Sequence, residues 1–179
     1  MLQSEAKQIF LDSGLSWTAH ARRAAELFER GYNCAQSVFA AFCEDCGLDF
    51  ETALLLSCSF GGGMGRLREV CGAVTGGMMV LGRLAGYTSP DSKEQKAEHY
   101  ARIQAYAKDF ERLYHTYLCR DLLGLKNGRD EPEPEARTQT YYETRPCVFF
   151  IACSAALVDG ILEREQKYWV SDSQPEKQP

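Results

Sequence analysis

The run Gly61-Gly62-Gly63-Met64-Gly65 can sustain neither helix nor strand, because glycine loses more backbone freedom on ordering than any other residue. It splits a chain whose apolar residues otherwise recur at helical spacing almost throughout. Shortly after it, Cys71-Gly72-Ala73-Val74-Thr75-Gly76-Gly77 opens an apolar segment. A cysteine heading small residues that bare the backbone suits thiol chemistry or metal ligation. It suits a structural disulfide less well.

The remaining segments carry helix start and stop signals. Ser16 is placed to cap a helix through Ala24, Leu27 and Phe28 that stops near Gly31. Asn33 caps the next, in which Cys34, Val38 and Ala41 share a face and Gly47 ends the run. A short helix spans about 50–58, and a buried one about 71–85. Ser89-Pro90 is positioned to start the longest helix, with Ile103, Ala107, Phe110, Tyr114 and Tyr117 at helical spacing. Residues 127–145 read as a loop, and Pro146 introduces a last apolar helix to about Lys167. The expected fold class is all-α: a single-domain helical bundle with a buried glycine-rich helix over 1–170, then a disordered tail at 171–179.

A chain of 179 residues suits one domain. Its net charge of −5, with no basic patch, argues against nucleic acid. Met1-Leu2-Gln3-Ser4-Glu5 lacks the marks of an export signal. The most apolar stretches, 70–84 and 148–162, fall short of the roughly 20 residues of a membrane helix. A soluble, cytoplasmic protein without membrane insertion is expected. In a reducing cytosol, eight cysteines serve as metal ligands, redox groups or packed thiols more readily than as disulfides.

Cys34, Cys71 and Cys147 each fall at an expected helix start, where unpaired N–H groups and the helix dipole favour a thiolate and lower its pKa. Cys119 differs, lying at the break after the long helix. Glycines 72, 76, 77 and 82 each cost about 1 kcal/mol in a helix interior. Close approach of a ligand and close packing of another helix explain them equally well. Cys43-Glu44-Asp45-Cys46 forms a CxxC, but at a helix end and beside two carboxylates, both of which oppose a thiolate. Cys58 and Cys153 read as core. His115 precedes Cys119 by one helical turn, close enough to share a metal, though a lone His on such a helix is more often a surface group. His20 and His99 carry no signal. Gly65-Arg66 lacks the lysine and strand context of a nucleotide loop.

Together these residues resemble the redox-active family named for its pattern C_GCAxxG_C_C. Gly31-Tyr32-Asn33-Cys34-Ala35-Gln36 is similar to its first cysteine segment, and Cys71 to Gly76 to its CGAxxG core. Cys119-Arg120-Asp121-Leu122-Leu123-Gly124 and Cys147 are similar to the third and fourth. The module also resembles the N-terminal part of split-Soret cytochromes c, though no CxxCH is present for haem. The resemblance implies a helical domain with a cysteine-based redox role for Cys34, Cys71, Cys119 and Cys147. Either the four hold an iron–sulfur cluster, or thiols form and break a disulfide, with Cys34 and Cys71 the expected pair. Alternatives are a structural or carrier zinc protein that uses the four cysteines without turnover, and a metal-free module whose cysteines are merely buried. The redox partner is not specified by the sequence. A homodimer is expected if Tyr106, Tyr114 and Tyr117 of the long helix face a second copy.

Overall fold

The computed structural model describes residues 1–126 and 128–172, the last of these, from 166, as helix backbone alone. The described residues form nine helices and no strand, an all-α fold. They are α1 (Gln3–Asp12), α2 (Ala19–Glu29), α3 (Cys34–Ala41), α4 (Phe50–Ser57), α5 (Gly72–Ala85), α6 (Lys93–Tyr114), α7 (Cys119–Leu122), α8 (Gln139–Thr144) and α9 (Cys147–Asp172). The tail expected at 171–179 falls, from 173 onward, outside the described residues.

Several caps differ from the sequence expectation. Thr18, not Ser16, caps α2, its side chain accepting from the Ala21 N–H. Ser92, not Ser89, caps α6, accepting from Gln95. Asn33 caps α3 as expected, accepting from Ala35 and Gln36, while the Gln36 side chain accepts in return from the Asn33 N–H. Within the loop expected at 127–145, Thr138 caps the short α8.

The core is built around α9, which packs on α1, α2, α3, α5 and α6, while α3 lies against α5 and α2. Buried α9 side chains run from Phe150 through Val158 to Ile161. The small residues of α5 let neighbours come close: a Cβ at Gly76 would lie 2.8 Å from the Ala35 carbonyl oxygen of α3. At Gly77 it would overlap the Tyr106 hydroxyl outright. That hydroxyl donates to Ser154 Oγ at 2.6 Å, and Ser154 donates to the Ala73 carbonyl at 2.6 Å. One fully buried polar chain thus joins α6, α9 and α5. Of the tyrosines expected to face a second copy, Tyr106 and Tyr114 are instead buried within the chain, stacked or bonded to its own α9, and Tyr117 is half-buried beyond the end of α6.

His20, which carries no signal in the sequence, stacks on Phe42 and bonds Asp159 at 2.7 Å and Asp45 at 3.0 Å. The bond to Asp159 raises its pKa above the usual value, against the effect of burial and with help from Asp45. Among the described residues no helix is long and apolar enough to cross a membrane.

Two substitutions probe this packing. Gly77→Ala must displace Tyr106 and should cost roughly 1–3 kcal/mol in chemical denaturation. Gly82→Ala, on the same helix with nothing within 4 Å, should be neutral or stabilise by up to about 1 kcal/mol. For His20 the folded pKa lies above the free value of about 6.5. Its contribution is therefore complete below that pH and is lost as pH rises through the folded value. Melting temperatures of the wild type and His20→Gln should differ more at pH about 6 than at pH about 8.5. A gap that widened toward alkaline pH would contradict the assignment.

Candidate functional site

Cys34, Cys71, Cys119 and Cys147, spread over most of the sequence, line one small cavity. Each stands at a helix start. Cys34 is the first residue of α3, Cys71 the N-cap of α5, Cys119 the first residue of α7 and Cys147 the first of α9. Cys119, read from sequence as lying at a break, in fact opens the turn that follows. Leu122, Leu123 and Phe150 form the apolar wall, and Gly62, Gly63 and Gly72 close the rest. The space at the centre is about 10 Å³, room for about one water.

An isolated antiparallel bridge between Val70 and Leu118 sets two of the four side by side. The Cys71 N–H donates to the Tyr117 carbonyl at 2.8 Å and the Cys119 N–H to that of Glu69 at 2.7 Å. Side chains alternate along extended backbone, so Cys71 and Cys119 leave the bridge on the same face. Close approach does the rest. A Cβ on Gly63 would lie 2.7 Å from Cys119 Cβ, and one on Gly72 would lie 3.1 Å from Cys34 Cβ. Between them the chain passes through a left-handed stretch in which even Met64, Arg66 and Arg68 have φ near +60°. Non-glycine residues lose about 1 kcal/mol or more in that conformation, so surrounding contacts must hold it.

Arg68 supplies part of the hold. It is buried, with Nε and Nη2 donating to Asp130 at 2.9 and 2.5 Å, and Nη1 lies 3.6 Å from Cys119 Sγ. Sequence reasoning missed this role; an arginine flanking a cysteine segment after a glycine run is the only trace it leaves.

The low thiol pKa expected at helix starts is overturned at Cys34 and Cys71. Contact with the Cys147 thiol, then burial, raises the Cys34 pKa well above the usual range. Burial, then proximity to Cys34 and Cys119, does the same at Cys71. The helix-start effect is present, since the Ala73 and Val74 N–H groups favour the Cys71 thiolate, but burial outweighs it. Cys119 is also raised by burial, with Arg68 and Arg145 opposing. Cys71, Cys119 and Cys147 are buried and Cys34 is half-buried.

The other cysteines lie elsewhere. Cys43 and Cys46 are buried in the turns after α3, and burial pushes Cys46 up to about 11. Cys153 is packed beside Tyr114 and pushed up to about 12 by burial. Cys58, expected in the core, is exposed at the rim of a larger cleft in front of the cavity. His115 is the left-handed residue that ends α6, so the single-turn relation to Cys119 does not exist. Among the described residues, no three His, Cys, Asp or Glu side chains are grouped closely enough to share one metal ion.

A family model described as "Putative redox-active protein (C_GCAxxG_C_C)" matches residues 32–161. No curated protein and no solved structure matches the chain.

Burial predicts the order of alkylation in reduced, metal-free protein. Exposed Cys58 should label first, and labelling of Cys71 should stay slow at neutral pH and climb only in the alkaline range. Peptide mass spectrometry across pH reads this directly, and rapid neutral labelling of Cys71 would contradict it. With the match covering most of its length, the chain belongs to this C_GCAxxG_C_C family.

Proposed function

We propose that the chain is a one-electron transfer protein whose Cys34, Cys71, Cys119 and Cys147 hold an iron–sulfur cluster. The observation that carries this reading is the convergence of four cysteines, each from a separate helix start, on one apolar-walled cavity. Protonated thiols gain little from helix N-termini, whereas sulfurs deprotonated by iron match the N–H groups directed at them. The Ala73 and Val74 N–H groups at Cys71 and the Arg68 guanidinium at Cys119 are such partners, and groups of this kind set a cluster's potential. When bound, the cluster supplies the single-electron couple; the protein's part is ligation, charge compensation and exclusion of water.

Four cysteines supply the ligand set of either a zinc ion or a cluster, and metal content decides between the two. A cytoplasmic, reducing setting suits eight unpaired cysteines.

A dithiol mechanism is the second reading. Its candidate pairs are Cys34 with Cys71 and, because the Cys147 thiol also lies against Cys34, Cys34 with Cys147.

Anaerobic purification decides between them. The cluster reading expects a brown protein with iron and acid-labile sulfide in comparable amounts, both lost in Cys71→Ser and retained in Cys46→Ser. Colourless protein in which Cys34 forms a disulfide with Cys71 or Cys147 under mild oxidation selects the dithiol. Stoichiometric zinc overturns both.

A further inference from the structure

In front of the cysteine cavity lies a cleft of about 210 Å³ whose floor includes Cys34, Cys119 and Cys147. Its walls carry four arginines, Arg66, Arg68, Arg137 and Arg145, on a chain of net charge −5. Two carboxylates answer them. Asp130 takes Arg68 and Arg66, the latter at 3.2 Å, and Glu135 takes Arg145, with Arg66 at 3.9 Å. Four positive charges less two negative leaves +2. One of the two is Arg137, which among the described residues has no carboxylate partner; the other is left over where Arg66, Arg68 and Arg145 share Asp130 and Glu135. Its guanidinium is held instead over the Phe28 and Tyr141 rings, at 4.8 and 4.7 Å from their centroids. Stacking fixes the plane of the fork; Nη2 reaches the Tyr32 carbonyl at 3.5 Å, and the remaining N–H groups are left for oxyanions. Tyr141, also on the wall, keeps its phenolic proton to about 12 because it is part-buried, and can donate beside the arginines.

We propose that this cleft binds a small dianion, a ligand with two carboxylate or phosphate groups, gripped above the cysteines between Arg137 and Arg145, where one anionic group takes the place of the Glu135 carboxylate. Planar guanidinium forks pair with carboxylate or phosphate through two parallel hydrogen bonds, and two surplus charges match two anionic groups. The volume is below that of ordinary drug-sized pockets, so the ligand is small. Binding does not depend on the electron-transfer reading; only the ligand's place as that centre's small-molecule partner rests on it.

The test titrates the full, reduced chain by calorimetry with pyrophosphate and, separately, with malonate. One saturable site is expected for at least one probe. Binding should weaken at least tenfold in Arg137→Gln and in Arg145→Gln, and should be unchanged in Arg120→Gln, whose side chain pairs with Glu69 outside the cleft. Circular-dichroism melts confirm that each variant is folded, and Arg137→Lys, which keeps the charge but not the fork, should fall between wild type and Arg137→Gln. Tighter pyrophosphate binding assigns a phosphorylated ligand, and tighter malonate binding a dicarboxylate. Failure of both probes to saturate at millimolar concentration, or wild-type affinity in Arg137→Gln, overturns the proposal. A colourless protein that still binds a probe leaves the cleft standing and removes the cluster. A brown protein that binds neither does the reverse.

Discussion

Four helix starts aimed at one small space are the constraint on which the rest of this structure depends. At α5 the Ala73 and Val74 N–H groups face the Cys71 sulfur, whereas at α3 and α7 the Asn33 side chain and nearby carbonyls take the first-turn N–H groups. The bundle meets the requirement with two devices: the Val70–Leu118 bridge, which fixes Cys71 beside Cys119, and the small residues of α5, which let α3 carry Cys34 into contact range. The core around α9 then carries Cys147 to the same place as the first residue of its helix.

Burial governs the chemistry of this arrangement. Helix dipoles alone lead to reactive thiolates, which is the expectation drawn from the sequence. Enclosure reverses it, since a charged sulfur loses more by leaving water than it gains from nearby N–H groups. On the reading proposed above, a sulfur whose negative charge is shared with a metal regains the balance, with the same N–H groups and Arg68 as its partners.

Much of the architecture was legible in the sequence because it is local. Asn33 and Gln36 announce the start of α3 by hydrogen bonds within one turn, and the apolar spacing of α5 and α9 marks them as buried. The errors came where distant contacts decide. Ser89-Pro90 has the chemistry of a helix start, yet the chain turns first and Ser92 takes the position. Tyr106 and Tyr114 read as an outer face, but Gly77 and Ser154, far away in sequence, open a place for Tyr106 inside. The arginine cleft was invisible for the same reason: Arg66 and Arg68 meet Arg137 and Arg145 only through a loop that held no periodic pattern. His20 likewise needed Asp159 from the opposite end of the chain.

The apolar wall of Leu122, Leu123 and Phe150 closes the cysteine cavity toward the core, and the glycine coil roofs it. The arginine-lined side is where it meets the larger cleft. Traffic to the sulfurs is thereby sorted by charge before any contact is made. Cationic reagents meet a repelling threshold, anionic ones a converging field, and the difference fades as added salt shortens the reach of that field. A chain that is acidic overall thus turns an electropositive doorway toward its least exposed chemistry.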